Sequence, residues 1–195
     1  MKSTLLIISA IMISFSAFAQ RDTIASSTGY HIIEQARQRF PKFYREFQYI
    51  KANDRLVKKI RFVQQQGIGP AFASPKGEIT VNVEFIQTPK PNFDDNRLIV
   101  VLYHEIGHLH YYLNTKQSNW NPEDSEKAAF EYSLARTKDM AEKGDCLPLQ
   151  TGLKFMKLRS EGTNLQDAHV SALKRMVKEP LYAAYVMYAV EKCKP

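Results

Sequence analysis

Between Leu98 and Leu109 the chain reads Leu-Ile-Val-Val-Leu-Tyr-His-Glu-Ile-Gly-His-Leu, and this run restricts the fold more than any other. Its first half is apolar on every side, which predicts a helix sunk in a core rather than laid on a surface. Into that setting the chain places His104 and His108, four residues apart, with Glu105 between them. On a helix, side chains at i and i+4 stand one above the other, roughly 5–6 Å apart at Cβ, so both imidazoles can close on one metal ion. Glu105 projects nearly a third of a turn from His104, within reach of a metal-bound water without being a ligand. In the H-E-x-x-H arrangement two histidines bind zinc and the glutamate is the general base of a hydrolase. The alternative is a pair of satisfied core histidines, which is costly because each buried polar group on an apolar helix needs a partner. Gly107 removes a side chain beside the site, where substrate or another backbone can come close.

The first residues bound the compartment. Met1-Lys2-Ser3-Thr4 precedes an apolar run from Leu5 to Phe18, and Ala17-Phe18-Ala19 stands before Gln20. One positive charge, a short hydrophobic region and an A-x-A ending predict a cleaved secretory signal peptide over 1–19, and hence a secreted or periplasmic protein. The run is shorter than the ~20 residues a membrane-spanning helix needs, and no later stretch qualifies, so no stable membrane insertion is expected after cleavage. The remaining 20–195 suits one domain with a sizeable core. Cys146 and Cys193 lie far apart; in an oxidising compartment they can tie the C-terminal tail to the body, but sequence alone gives no distance. They lack a C-x-x-C spacing and a nearby histidine, which argues against zinc ligation. The net charge of +7, or +6 without Lys2, is spread along helical faces with acidic residues between. That describes a solvated surface and no nucleic-acid-binding signature.

Taken in order, Arg21–Gly29 reads as a loose leader. A helical pattern follows from Tyr30, with Ile32, Ile33, Ala36 and Phe40 on one side, and Pro41 is expected to end or kink it. Phe43, Tyr44, Phe47, Tyr49 and Ile50 continue a second amphipathic piece. A strand is expected from Arg55 to Val63, a short extended piece at Ala71–Ala73, and the clearest strand at Ile79–Ile86. Ser74-Pro75-Lys76-Gly77 has the composition of a β-turn, and Pro70 and Pro75 mark the middle piece as an edge strand. Such an edge can capture an extended peptide by strand addition, or stay solvated. Asp94, Asp95 or Asn96 can cap the histidine helix, which should run to about Leu113. Asn121-Pro122 starts another that should run through Ala141. Further amphipathic helices are expected at 147–158, 165–177 and 181–190.

A catalytic zinc site needs a third protein ligand. The continuation H-x-x-G-x-x-H is excluded, because Tyr111 stands where glycine is needed and Asn114 where the last histidine should be. His110 faces away from the pair, and His31 and His169 are isolated. On the second long helix, Ala129, Phe130, Ser133, Thr137 and Met140 define an inward face that includes Glu126. A carboxylate facing a core needs a partner: a zinc ion supplies one, an arginine such as Arg97 another. Ala129 beside it would let the two helices approach closely.

With these residues the chain resembles the gluzincin metallopeptidases, in particular their minimal-core members. The matching residues are His104-Glu105-Ile106-Gly107-His108 and, eighteen positions on, Glu126-Lys127-Ala128-Ala129. The order of helix, small sheet, metal helix and glutamate helix is also similar, over about Arg55–Ala141. The resemblance implies an α+β, zincin-like fold. A small sheet of about three strands would pack on the histidine and glutamate helices, with extra C-terminal helices over 145–195. It implies Zn2+ held by His104, His108 and Glu126, Glu105 as the catalytic base, and a peptide or protein substrate cut as an endopeptidase. Members often read E-x-x-A-D or E-x-x-A-N, the last residue supporting a metal-binding histidine; here Phe130 stands in that place. Members also use a Tyr or His on the oxyanion, for which Tyr182, Tyr185 and His169 are candidates without an assignment. Phe130 and the open oxyanion donor keep a second reading, a non-catalytic zincin-like peptide-binding domain of the cell envelope.

Overall fold

Strand β2 (Lys59–Val63) buries Ile60 and Phe62 and exposes Lys59 and Arg61, the period-2 pattern of a strand with one face on a core. The computed structural model describes residues 23–88 and 90–194; the expected signal peptide lies outside the described residues. Beside β2 runs β4 (Glu78–Asn82), parallel, with Ile60 opposite Ile79 and Phe62 opposite Val81. Strand β3 (Ala71–Ser74) pairs antiparallel with β4 and forms the outer edge, as the flanking prolines predict. Gly77 closes the β3–β4 turn at φ 81°, a left-handed conformation that glycine adopts without a Cβ clash.

Among the described residues the sheet has four strands, order β1-β2-β4-β3, where about three were expected. The additional β1 (Thr23–Ile24) comes from the stretch read as a loose leader, and two residues are too few to carry an alternation. The expected long strand from Ile79 stops at Asn82. This buried side chain donates to the carbonyls of Gln65 and Gly69, at 2.8 and 3.2 Å, and bends the chain into the short helix α3 (Glu84–Gln87).

Helix α1 (Ser26–Gln35) begins before Tyr30, and Pro41 opens α2 (Pro41–Asn53) rather than only ending what precedes it. The Asp95 carboxylate accepts from the backbone N–H groups of Lys42 and Phe43, at 2.9 and 2.7 Å, and so caps α2 from another helix. That other helix is α4 (Asp95–Asn114), whose own N-cap is Asp94, accepting from the Arg97 N–H at 2.8 Å. After it come α5 (Pro122–Glu142), α6 (Leu147–Ser160), α7 (Ala168–Met176) and α8 (Pro180–Lys192).

Helix α4 is apolar all round because it serves two cores. Ile99 and Ile106 pack with Phe43, Phe47, Phe62 and Ile79 on the sheet side. Val100 packs with Leu134, Leu149, Met156 and Leu173 on the other. Each such side chain, fully buried, contributes ~1.5–3 kcal/mol, so α4 is the most firmly held element. Cys146 and Cys193 form a disulfide that ties the end of α8 to the start of α6. Among the described residues no helix is long and apolar enough to cross a membrane.

Candidate metal centre

The middle of α4 presents His104, Glu105 and His108 to the space beneath β3 and beside α5. The α4–α5 contact is made at Gly107: a Cβ there would lie 2.6 Å from the Ala129 Cα and 2.9 Å from its carbonyl oxygen. Glycine is what permits backbone-to-backbone approach, and it brings Glu126, one turn before Ala129, up to the histidines. Asn121 caps α5 by accepting from the Asp124 N–H, and Pro122 opens it, as the sequence predicts.

The His104 and His108 Nε2 atoms stand 3.1 Å apart. Glu126 Oε2 lies 3.2 Å from the first and 3.6 Å from the second. Two ligands at 2.0–2.1 Å in a tetrahedral shell are separated by roughly 3.3 Å, so this triangle has the size a shared ion demands. The His108 Nδ1 is 2.8 Å from the Ser125 hydroxyl. With that ring nitrogen donating to Ser125, the lone pair of Nε2 is left facing inward. Glu126 Oε2 is buried and makes no hydrogen bond despite its neighbours at 3.2 Å, and His104 Nδ1 is also without a partner. A buried carboxylate oxygen without a hydrogen bond, aimed between two imidazole nitrogens, is what a cation would satisfy. Glu126 makes no ion pair with Arg97, the other partner open to it.

The electrostatics favour a deprotonated donor set. Burial lowers the His104 imidazole below its usual value, against the pull of Glu126. Burial, then His104, takes His108 down to about 3. For Glu126 burial pushes upward, but the three surrounding histidines outweigh it and hold the carboxyl below its ordinary range. Glu105 behaves oppositely: burial and the Glu126 charge raise it to about 8, opposed by a backbone hydrogen bond from Ala73 on β3. Without an ion its carboxyl therefore holds its proton up to about neutrality, between the histidines and the edge strand.

A fourth group joins them that sequence reading left isolated. His169, near the start of α7, places Nε2 3.2 Å from Glu126 Oε2, and its ring stacks on His104 at 5.8 Å between centroids. His104, Glu126 and His169 each offer a ligand atom within 4.8 Å of one another, a cluster able to hold a metal ion. Asp167 caps α7 and also approaches His169 Nδ1 at 3.4 Å. Arg175 reaches Glu123 and Asp124, which ties α7 to the start of α5, and Lys127 on α5 reaches Glu179, the residue that precedes α8. Those opposite charges on two helices were the available signal for this contact.

The other candidates are elsewhere. His110 stacks on Tyr132 at 4.5 Å. Tyr182 is buried, donating to the Leu153 carbonyl, and Tyr185 packs in the same C-terminal core. Phe130 lies 4.4 Å from the His104 ring, on the imidazole whose Nδ1 lacks an acceptor.

Two cavities open onto the donor cluster along β3. One of about 400 Å3 runs past Ala73, Pro75, Tyr112 and Trp120. The other, of about 430 Å3, runs past Pro70, Val101, Phe130 and Phe155. No family model, no curated protein and no solved structure matches this chain.

Proposed function

We propose that the chain is an exported zinc-dependent peptidase with a zincin-like fold, in which His104, His108 and Glu126 hold the metal and Glu105 is the general base. The observation that carries this reading is the triangle of ligand atoms at 3.1, 3.2 and 3.6 Å, with the Glu105 carboxyl beside it. Zinc bound there supplies a water of lowered pKa and polarises a substrate carbonyl. Glu105 takes the proton from the attacking water and passes it to the departing amine; the charge of a bound cation favours the carboxylate form that this role needs, against the burial that raises it in the empty site. Strand β3, the outer strand of the sheet, runs along the site and would align the peptide backbone across it. Cavities on both sides of the cluster suit an endopeptidase, since substrate can extend in either direction. Export is supported by the N-terminal pattern and by the Cys146–Cys193 disulfide, which an oxidising compartment sustains.

A second reading is a zinc-holding domain that binds peptide without cutting it, favoured by His169. If its Nε2 fills the fourth position, four protein donors close the site as structural zinc sites are closed. Metal analysis and incubation with a mixed peptide library separate the readings. The peptidase reading expects one zinc per chain and cleavage products, with Glu105→Gln keeping the metal and losing the products. It expects His169→Ala to retain zinc. Zinc lost with His169 and no products from the wild type would establish the closed site, and a chain that takes up no zinc would remove both.

A further inference from the structure

Seven residues before His104 on the same helix stands Arg97. Seven residues return a helix to nearly the same face after two turns, about 10 Å along the axis. Arg97 is 9% exposed, and it lines the 430 Å3 cavity that also reaches His104 and Glu105. Among the described residues no hydrogen bond or ion pair engages its guanidinium. It lies over the Phe155 ring, 3.2 Å from the centroid, with Phe93 at 5.7 Å. Asp95, the nearest carboxylate in sequence, is taken up by the backbone N–H groups of Lys42 and Phe43, and the Asp94 oxygen takes the Arg97 backbone N–H. Burial lowers Arg97 to about 10, which still leaves it charged at neutral pH. A buried cation with aromatic faces and no anion is costly by itself, and an entering carboxylate relieves that cost. The other arginine of this cavity, Arg159, is exposed and paired with Asp167.

The position relative to β3 sets which part of a substrate meets it. The cavity takes its wall from Gly69, Pro70, Ala71 and Phe72, the N-terminal end of β3 and the turn before it. A peptide adding antiparallel, the more stable pairing, runs its C-terminal half toward that end. Arg97 shares that cavity with His104 and Glu105, so a carboxylate just beyond a carbonyl held at the donor cluster enters the space that Arg97 lines.

We propose that Arg97 is a specificity residue that binds a carboxylate on the leaving side of the scissile bond. The carboxylate is either an acidic side chain directly after that bond or the C-terminus of a short leaving segment. The inference rests on the peptidase reading for its direction along the substrate, and the test keeps the two separable.

The full disulfide-bonded chain, zinc-loaded, is titrated by calorimetry with three succinyl hydroxamates. Two differ only in a side chain ending in carboxylate or carboxamide, both with amidated C-termini; the third has a methyl side chain and a free C-terminal carboxylate. A carboxylate probe is expected to bind at least tenfold tighter than the carboxamide in the wild type and with no preference in Arg97→Met. Whichever carboxylate arm gains identifies the source. Equal binding of all three by the wild type overturns the proposal. A second measurement needs no metal: the Arg97 Nε–H resonance of the metal-free wild type should shift with N-acetylglutamate amide and not with N-acetylglutamine amide. A shift there, in a chain that neither binds zinc nor cuts peptides, leaves the anchor standing and removes the peptidase reading. No shift overturns the anchor whatever the chain cleaves.

Discussion

Gly107→Ala tests whether the approach of two helices is what assembles the metal centre. The added methyl would sit 2.6 Å from the Ala129 Cα and 2.9 Å from both the Ala129 oxygen and the Tyr132 Cβ. Non-bonded carbons rest at about 3.5–4.0 Å, so α4 and α5 must part by roughly 1 Å, and the obstacle is backbone that cannot rotate away. Overpacking of this kind costs ~1–3 kcal/mol of stability. The effect on the centre is larger in proportion. Glu126 Oε2 lies 3.2 and 3.6 Å from the two Nε2 atoms, and two atoms bound to one zinc can be no more than about 4.2 Å apart. A 1 Å opening takes both separations to that limit or past it, so zinc affinity should fall at least tenfold, about 1.4 kcal/mol. Gly152→Ala is the internal control: its Cβ would meet the Val100 side chain at 3.4 Å, and in a helix the change should be neutral or stabilising by ~0.5–1 kcal/mol. Urea unfolding of the metal-free chains and competition with a chromophoric chelator read both quantities. If Gly107→Ala matches Gly152→Ala in stability and in zinc affinity, the close approach at Gly107 does not build the site.

Three further outcomes are expected. Phe130→Asp offers His104 Nδ1 the acceptor it lacks and should raise zinc affinity ~10–100-fold by chelator competition, whereas unchanged affinity would mean that position 130 does not support this imidazole. Replacing Cys146 and Cys193 by serine opens a loop spanning a sequence separation of 47 and should cost about 4 kcal/mol in the chain-entropy limit. Hydrogen exchange should then rise first in α8, of which only Tyr182 and Ala189 are buried; uniform exchange would contradict this. For the metal-free chain, Glu105 is raised from 4.5 to about 8, so the stability it contributes is complete below pH 4.5 and lost as pH rises through about 8. His108, lowered to about 3, works in the other direction only below pH 6.5. Melting temperature should therefore fall between pH 6.5 and 8.5 in the wild type and stay flat in Glu105→Gln; parallel curves would refute the assignment.

The helices were legible where local chemistry and pattern agree. Asn121-Pro122, a cap followed by a residue with no N–H to lose, marks the start of α5 to the residue. Strand ends were less so. Ile79–Ile86 is rich in β-branched and aromatic residues, yet β4 stops at Asn82, because a buried amide holding Gln65 and Gly69 outweighs strand propensity in the residues that follow. Thr23–Ile24 is too short to show a period and exists as a strand only because β2 offers it an edge. Pro41 carries two meanings, a stop for the turn before it and a favoured first position for the helix after it. The Asp95 carboxylate, which caps α2 from 53 positions away at Lys42, decides for the second.

The donor cluster divides along the same line. His104, Glu105 and His108 share one helix, so a spacing of four places them, and Glu126 was found because an acidic residue stood on an otherwise apolar face. His169 carries no such mark: it lies 43 positions beyond Glu126 on a helix whose orientation depends on Arg175 meeting Glu123 and Asp124 on α5. Yet this late arrival bears most on what the centre does. With three donors a tetrahedral ion keeps a position for water, and with four it keeps none. Of the four, His169 is the half-exposed group, its side chain 46% accessible while those of His104 and His108 are 9% and 11%. In the peptidase reading His169, on a helix held by surface ion pairs that are individually weak, is the donor that would give up its place to water. His169 lines the same cavity as Glu105, Arg97 and the N-terminal end of β3, so the group that decides between the two readings stands where a peptide would enter.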